Sequence, residues 1–170
     1  YFSSTNQFIC AGQSLVVRRY PPEHRDRQAY RTGFVTQCCT GNVHRIFPNF
    51  AARMWMWDTR GGLAATLYSA STVSTPVGAA QVQVVIKETT NYPFEGNIRF
   101  EISASQPVQF PLHLRIPFWA GQAKLLVNGR PTKKRLIPGT FFTLEGAFKT
   151  GDIIELDLPM AVGVEQPVPA

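Results

Sequence analysis

From Leu63 to Leu158 the sequence runs in short stretches of alternating apolar and polar residues, each cut off by turn residues. That texture constrains the fold more than anything else in the chain. Residues 81–87 put Val82, Val84 and Ile86 on one side, and residues 97–102 repeat the pattern with Ile98, Phe100 and Ile102. Residues 108–116 do so with Phe110, Leu112, Leu114 and Ile116, leaving His113 and Arg115 on the other side. Successive side chains of a strand point to opposite faces, so each run has one apolar and one wet face. Runs over 63–68, 123–127, 141–144 and 152–158 complete the set. Asn128-Gly129 is the strongest short hairpin signal, residues 92–96 read as a turn, and Gly151-Asp152 opens the last strand. Many short strands at this spacing, half polar throughout, predict a mainly β fold built as an antiparallel β-sandwich.

Residues 1–61 have a different texture. They lack alternation and hold Cys10, Cys38, Cys39, His24, His44, Trp55 and Trp57. Over residues 42–57, Val43, Ile46, Phe47, Phe50, Met54 and Trp57 recur at three- and four-residue spacing, which predicts a helix with one apolar face. Pro48 is expected to bend or restart it. So little polar surface remains that the helix expects neighbours on more than one side, with partner helices in polypeptide ahead of Tyr1. The opening residues carry no Met, basic region or apolar leader, so the chain reads as a piece of a longer polypeptide. The expected organisation is therefore a loop-and-helix remnant of a preceding domain over 1–61, a sandwich over 62–162, and a tail or linker with Pro167 and Pro169 over 163–170.

Composition excludes several classes. Hydrophobic residues at 44% and 12 Phe fill a core. A net charge of +6 tolerates anionic partners without demanding them. The arginines between positions 18 and 31 are interrupted by the acids Glu23 and Asp26, which argues against nucleic acid. No apolar run approaches the ~20 residues of a membrane span. Three cysteines are too few for a disulfide framework.

The residues with most chemical promise are Cys38 and Cys39, side by side in Thr36-Gln37-Cys38-Cys39-Thr40-Gly41-Asn42 at a loop-to-helix junction. A helix N-terminus favours thiolate, and a thiolate is both a nucleophile and a soft metal ligand. Three readings stand: two small buried hydrophobes, a zinc-binding pair, or a vicinal disulfide. A local zinc site with Cys10 and His44 is a further option, while His24 and His113 read as solvated. Trp55, Trp57 and Trp119 suit either sugar stacking or the core.

One ordered series is more specific than its pieces. Cys-Cys-x-x-Asn is followed by a Trp- and Met-containing segment, then by Gly-Gly-Leu-x-x-x-Leu-Tyr. Leu112-His113-Leu114-Arg115-Ile116-Pro117-x-Trp119, Val127-Asn128-Gly129 and Gly151-Asp152-x-x-x-Leu-x-Leu-Pro159-Met160 come next. The series resembles the C-terminal part of glycoside hydrolase family 127, the β-L-arabinofuranosidase family, from about Phe2 to Val162. The resemblance implies an (α/α)6 barrel carrying the active site, with this sandwich following it. It implies a zinc ion held by three Cys and one Glu, here Cys38 and Cys39, with the remaining ligands in a Glu-x-Cys segment upstream. Cys10 is not that segment, because Phe8 stands two residues before it. Cys38 would be the nucleophile, and the acid/base Glu would also lie upstream.

Thr40-Gly41 stands where many members carry Pro-Pro, which points to a different subgroup. The implied function is a zinc-dependent retaining glycosidase acting on L-arabinofuranosides or related plant glycans. It would be inactive as this segment alone, with carbohydrate as substrate and the barrel of the same polypeptide as partner. A homodimer stays open, as do a cytoplasmic and a periplasmic setting. The alternatives are a non-catalytic sandwich that binds carbohydrate or braces its neighbour, and a small zinc-binding structural domain using Cys10, Cys38, Cys39 and a His.

Overall fold

The computed structural model describes Phe2–Ser4, Gln7–Ile9 and residues 45–161. The chain divides into two units, Tyr1–Pro48 and Asn49–Ala170. In the first, β1 (Phe2–Ser4) and β2 (Gln7–Ile9) pair antiparallel, with Phe2 opposite Ile9. A short helix, α1 (Ile46–Ala51), falls at the division.

The helix is shorter than the spacing of apolar residues predicts. Pro48 is the third of its six residues, where a missing amide proton costs nothing. After Ala51 the chain turns, with the Arg53 amide donating to Phe50 O, and Trp55–Trp57 then forms a strand, β3. The apolar stripe broke because residues 55–57 have cross-strand partners: Trp55 lies opposite Ala65 and Trp57 opposite Leu63. None of the helix's residues is buried.

The second unit is a sandwich, as the alternation predicts. Its strands are β3, β4 (Leu63–Ala65), β5 (Ser71–Val77), β6 (Val82–Thr90), β7 (Asn97–Ala104), β8 (Val108–Arg115), β9 (Lys124–Val127), β10 (Arg130–Pro131), β11 (Phe141–Phe148) and β12 (Ile153–Asp157). One sheet has the order β10-β9-β12-β7-β6-β5, the other β11-β8-β4-β3. Pairing is antiparallel except between β4 and β8, which run parallel. The chain leaves β4 for the larger sheet, builds β5 to β7 there, and returns as β8 in the direction of β4.

Register fixes which side chains meet. Ile86 lies opposite Ile102, Phe100 opposite Ile154, and Leu112 opposite both Leu63 and Leu144. Val82, Val84, Ile86, Ile98, Phe100, Ile102, Phe110, Leu112, Leu114 and Ile116 are all buried, so each apolar face read from the sequence is a core face. Residues of both sheets join in one core. Trp55 meets Phe100 edge-on across it, ring centroids 5.9 Å apart. Asn128 and Gly129 both have positive φ, 52° and 73°, as a tight hairpin between β9 and β10 requires.

Candidate functional site

The sequence places its chemistry at Cys38 and Cys39, which lie outside the described residues, as do Cys10, His24 and His44. Among the described residues no group of three or more His, Cys, Asp or Glu is arranged to hold a metal ion.

Two polar clusters do form on the sandwich. The first is on the outer face of the smaller sheet. His113 points away from the core, as its phase in β8 requires, but it is not free. Its Nδ1 lies 2.9 Å from Thr143 Oγ1, its partner in strand register, and its Nε2 lies 2.8 Å from Asp58 Oδ2. A carboxylate only accepts, so Nε2 carries a proton, and in the neutral ring Nδ1 accepts the Thr143 hydroxyl. The Arg60 amide, 3.0 Å from Asp58 Oδ1, and then His113 hold the Asp58 carboxyl down at about 2. The set joins the β3–β4 loop to β8 and β11, and it works as a clamp on that loop.

The second cluster is inside. Glu88 continues the inward phase of Val82, Val84 and Ile86, and it is only 2% exposed. The Ser69 amide donates to its Oε1 at 3.0 Å and the Ser71 hydroxyl to its Oε2 at 3.0 Å. Trp55 Nε1 donates in turn to Ser71 Oγ. Burial pushes the Glu88 carboxyl up to about 7, against the pull of Ser71 and Ser69. An unfolded glutamate titrates near 4.5. Between those values the folded chain holds a proton that the unfolded chain has lost. The stability Glu88 contributes is complete below the lower value and disappears as pH rises through the upper one. The difference amounts to about 3 kcal/mol. Glu88→Gln keeps an acceptor for Ser69 and removes the charge. It is expected to melt higher than the parent chain at pH 8 and equal to it near pH 4. Thermal melts across that range check this, and an unchanged pH profile would show that Glu88 does not titrate there.

The aromatics divide. Trp55 is a core residue, while Trp57 and Trp119 stay about half exposed, at 55% and 48%. Glu88 was legible in principle, because the alternation that buries Ile86 also buries the residue two further on. His113 was read correctly as outward, but nothing in the local sequence announces Asp58 or Thr143 as its partners.

Known proteins agree with this architecture. Residues 62–160 match the family model described as the β-L-arabinofuranosidase, GH127 middle domain. A GH127 β-L-arabinofuranosidase from Geobacillus stearothermophilus shares 26% identity at a TM-score of 0.73, over 88% of this chain and 24% of that one. A second solved structure, a glycoside hydrolase, shares 26% identity at a TM-score of 0.67, over 80% of this chain and 24% of that one. A third, a GH127 β-arabinofuranosidase, shares the fold at 22% identity and a TM-score of 0.65, over 75% of this chain and 22% of that one. The chain thus spans about a quarter of the length of the structures it matches. No curated protein matches it.

Proposed function

The chain belongs to glycoside hydrolase family 127, and from that membership we propose that it supplies the cysteine pair and the middle β-sandwich of a retaining, zinc-dependent glycosidase. The substrates would be L-arabinofuranosides or related plant glycans. In this reading residues 1–61 close an α-helical catalytic barrel, 62–162 form the sandwich that follows it, and 163–170 lead onward. The observation that supports it is the order of the chain: Cys38-Cys39 stand ahead of a segment, 62–160, that matches the family's middle domain.

The donor set is chemically suited to zinc. Two adjacent thiols are soft ligands, and a tetrahedral site needs two donors more. Cys38 and Cys39 would hold the ion together with ligands from preceding polypeptide. When bound, zinc keeps thiols deprotonated at neutral pH.

Cys38 then does the covalent work. Its sulfur attacks the anomeric carbon, a C–S bond forms, and the glycosidic C–O bond breaks. The leaving oxygen takes a proton from an acid that this chain does not contain. Water then gives a proton back to that same group, now a base, and attacks the same carbon; the C–S bond breaks and the thiolate returns with net retention.

The test is a pair of measurements. The 170-residue chain alone is expected to leave an aryl β-L-arabinofuranoside intact. A full-length family polypeptide carrying this chain is expected to hold one zinc per molecule and to hydrolyse it. Turnover by the chain alone, or a full-length protein without zinc, would overturn the proposal.

A further inference from the structure

The outer face of the larger sheet carries a feature that neither the catalytic chemistry nor the core uses. An open groove of about 480 Å³ crosses the ends of β6, β7, β9 and β12. Its volume lies within the range of small-molecule sites, roughly 300–1,000 Å³. Two cross-strand rows form its floor. Leu126, Glu155, Arg99 and Thr89 are aligned in register, and Lys124, Asp157 and Asn97 form the next row.

The groups in these rows are unequally occupied. Arg99 is held in place, with Nε 3.1 Å from Glu101 and Nη1 2.8 Å from Glu155. The carboxylate of Asp157 and the side-chain amide of Asn97 take no partner among the described residues. An acceptor and an amide side by side, both unspent, match two neighbouring hydroxyl groups of a sugar: each hydroxyl donates to one and accepts from the other.

The rim adds an apolar surface. Asn91 Nδ2 donates to Glu95 Oε2 at 3.2 Å across the β6–β7 turn, and both residues line the groove. Between them stands Phe94, 90% exposed. A lone exposed phenylalanine needs no explanation. Phe94 is not itself a lining residue, but standing between two of them in the chain it offers, beside the groove, a flat apolar surface of the kind the C–H face of a sugar ring covers.

Charge narrows the ligand. Glu95, Glu155 and Asp157 line the groove with Arg99, and Lys124 faces Asp157 in register from β9, so carboxylates exceed cations by one on a chain of net charge +6. That repels uronic acids and phosphates. These carboxylates are not gathered as a cation site either, since no group of three metal-binding side chains occurs among the described residues.

We propose that this groove binds a short neutral oligosaccharide, with Asp157 and Asn97 on adjacent hydroxyls and Phe94 against the ring. The choice of a pentose glycan as probe rests on the family reading above, but the site itself does not. The experiment is an NMR titration of the isotope-labelled 170-residue chain with an arabino-oligosaccharide, with an oligogalacturonate, and with calcium chloride alone. Saturable shifts of the Asn97, Arg99 and Asp157 amides are expected with the neutral sugar and not with the anionic one. Asp157→Ala and Phe94→Ala are each expected to weaken binding by about 5- to 10-fold. Both sites are on the surface, so melting temperature should not move. No saturable shift by about 20 mM sugar, shifts that persist undiminished in both variants, or a response to calcium alone would each overturn the proposal. Failure of the glycosidase reading is separately visible, as a full-length protein without zinc or turnover while this titration still saturates.

Discussion

Cys38→Ser in the full-length polypeptide is expected to lower kcat/KM on an aryl β-L-arabinofuranoside by at least about 1,000-fold, or roughly 4 kcal/mol of transition-state stabilisation. The difference between the two side chains lies in the proton. A thiol titrates near 8.5 and is brought to thiolate by a metal or a helix N-terminus, whereas a serine hydroxyl stays protonated under the same influence. Serine is nearly isosteric, so the fold and the remaining ligands stay in place. On the proposal above, Cys39→Ser would separate the two roles, leaving the nucleophile and removing a ligand, so zinc content should fall together with activity. The informative measurement is metal content beside rate for both variants. Full activity in Cys38→Ser would remove the nucleophile from this position, and full zinc occupancy in Cys39→Ser would remove the ligand.

Gly96→Ala is expected to be the most damaging single methyl on the sandwich. A Cβ at Gly96 would stand 2.0 Å from Leu158 O and 2.8 Å from Leu158 C. These are backbone atoms, so no rotamer relieves the contact. The two backbones lie together because the Leu158 amide donates to Gly96 O at 3.0 Å, one step beyond the β7–β12 ladder. Leu158 itself is fully buried, so the end of β12 cannot withdraw without opening the core. The cost is roughly 3 kcal/mol or more, a fall of about 10 °C in Tm for a chain of this size. Gly146→Ala, on β11, is the control: nothing lies within 4 Å of its added methyl. It should stay within about 0.5 kcal/mol. Equal melting of the two variants would show that the β7–β12 end yields freely.

Sequence periodicity reached the sandwich because its central strands have one buried and one wet face. It did not reach β5, whose residues 71–77 read Ser-Thr-Val-Ser-Thr-Pro-Val. That strand is at the edge of its sheet, so Pro76 and a polar exterior are tolerated, and both blur the alternation. The end of the expected helix became β3 because tertiary pairing with β4 outweighed a local three- and four-residue repeat. The β4–β8 parallel pair was also beyond reach, since alternation says which face is apolar but not which strand lies alongside. At the candidate site, the cysteine pair stood out through side-by-side chemistry, whereas the groove of Asn97 and Asp157 exists only in register. Residues so far apart in the chain give no local signal that they will face one another.

The parallel pair also says how this domain must come together. Leu63 and Leu112 meet in adjacent strands, yet the chain between them is committed to the opposite layer. Closing such a large loop costs entropy before any contact repays it. Of β4's two neighbours, β3 pairs with it across a short turn, whereas β8 arrives only after the chain has passed through β5, β6 and β7. A deletion within β5 to β7 should therefore loosen the smaller sheet as well as the larger one.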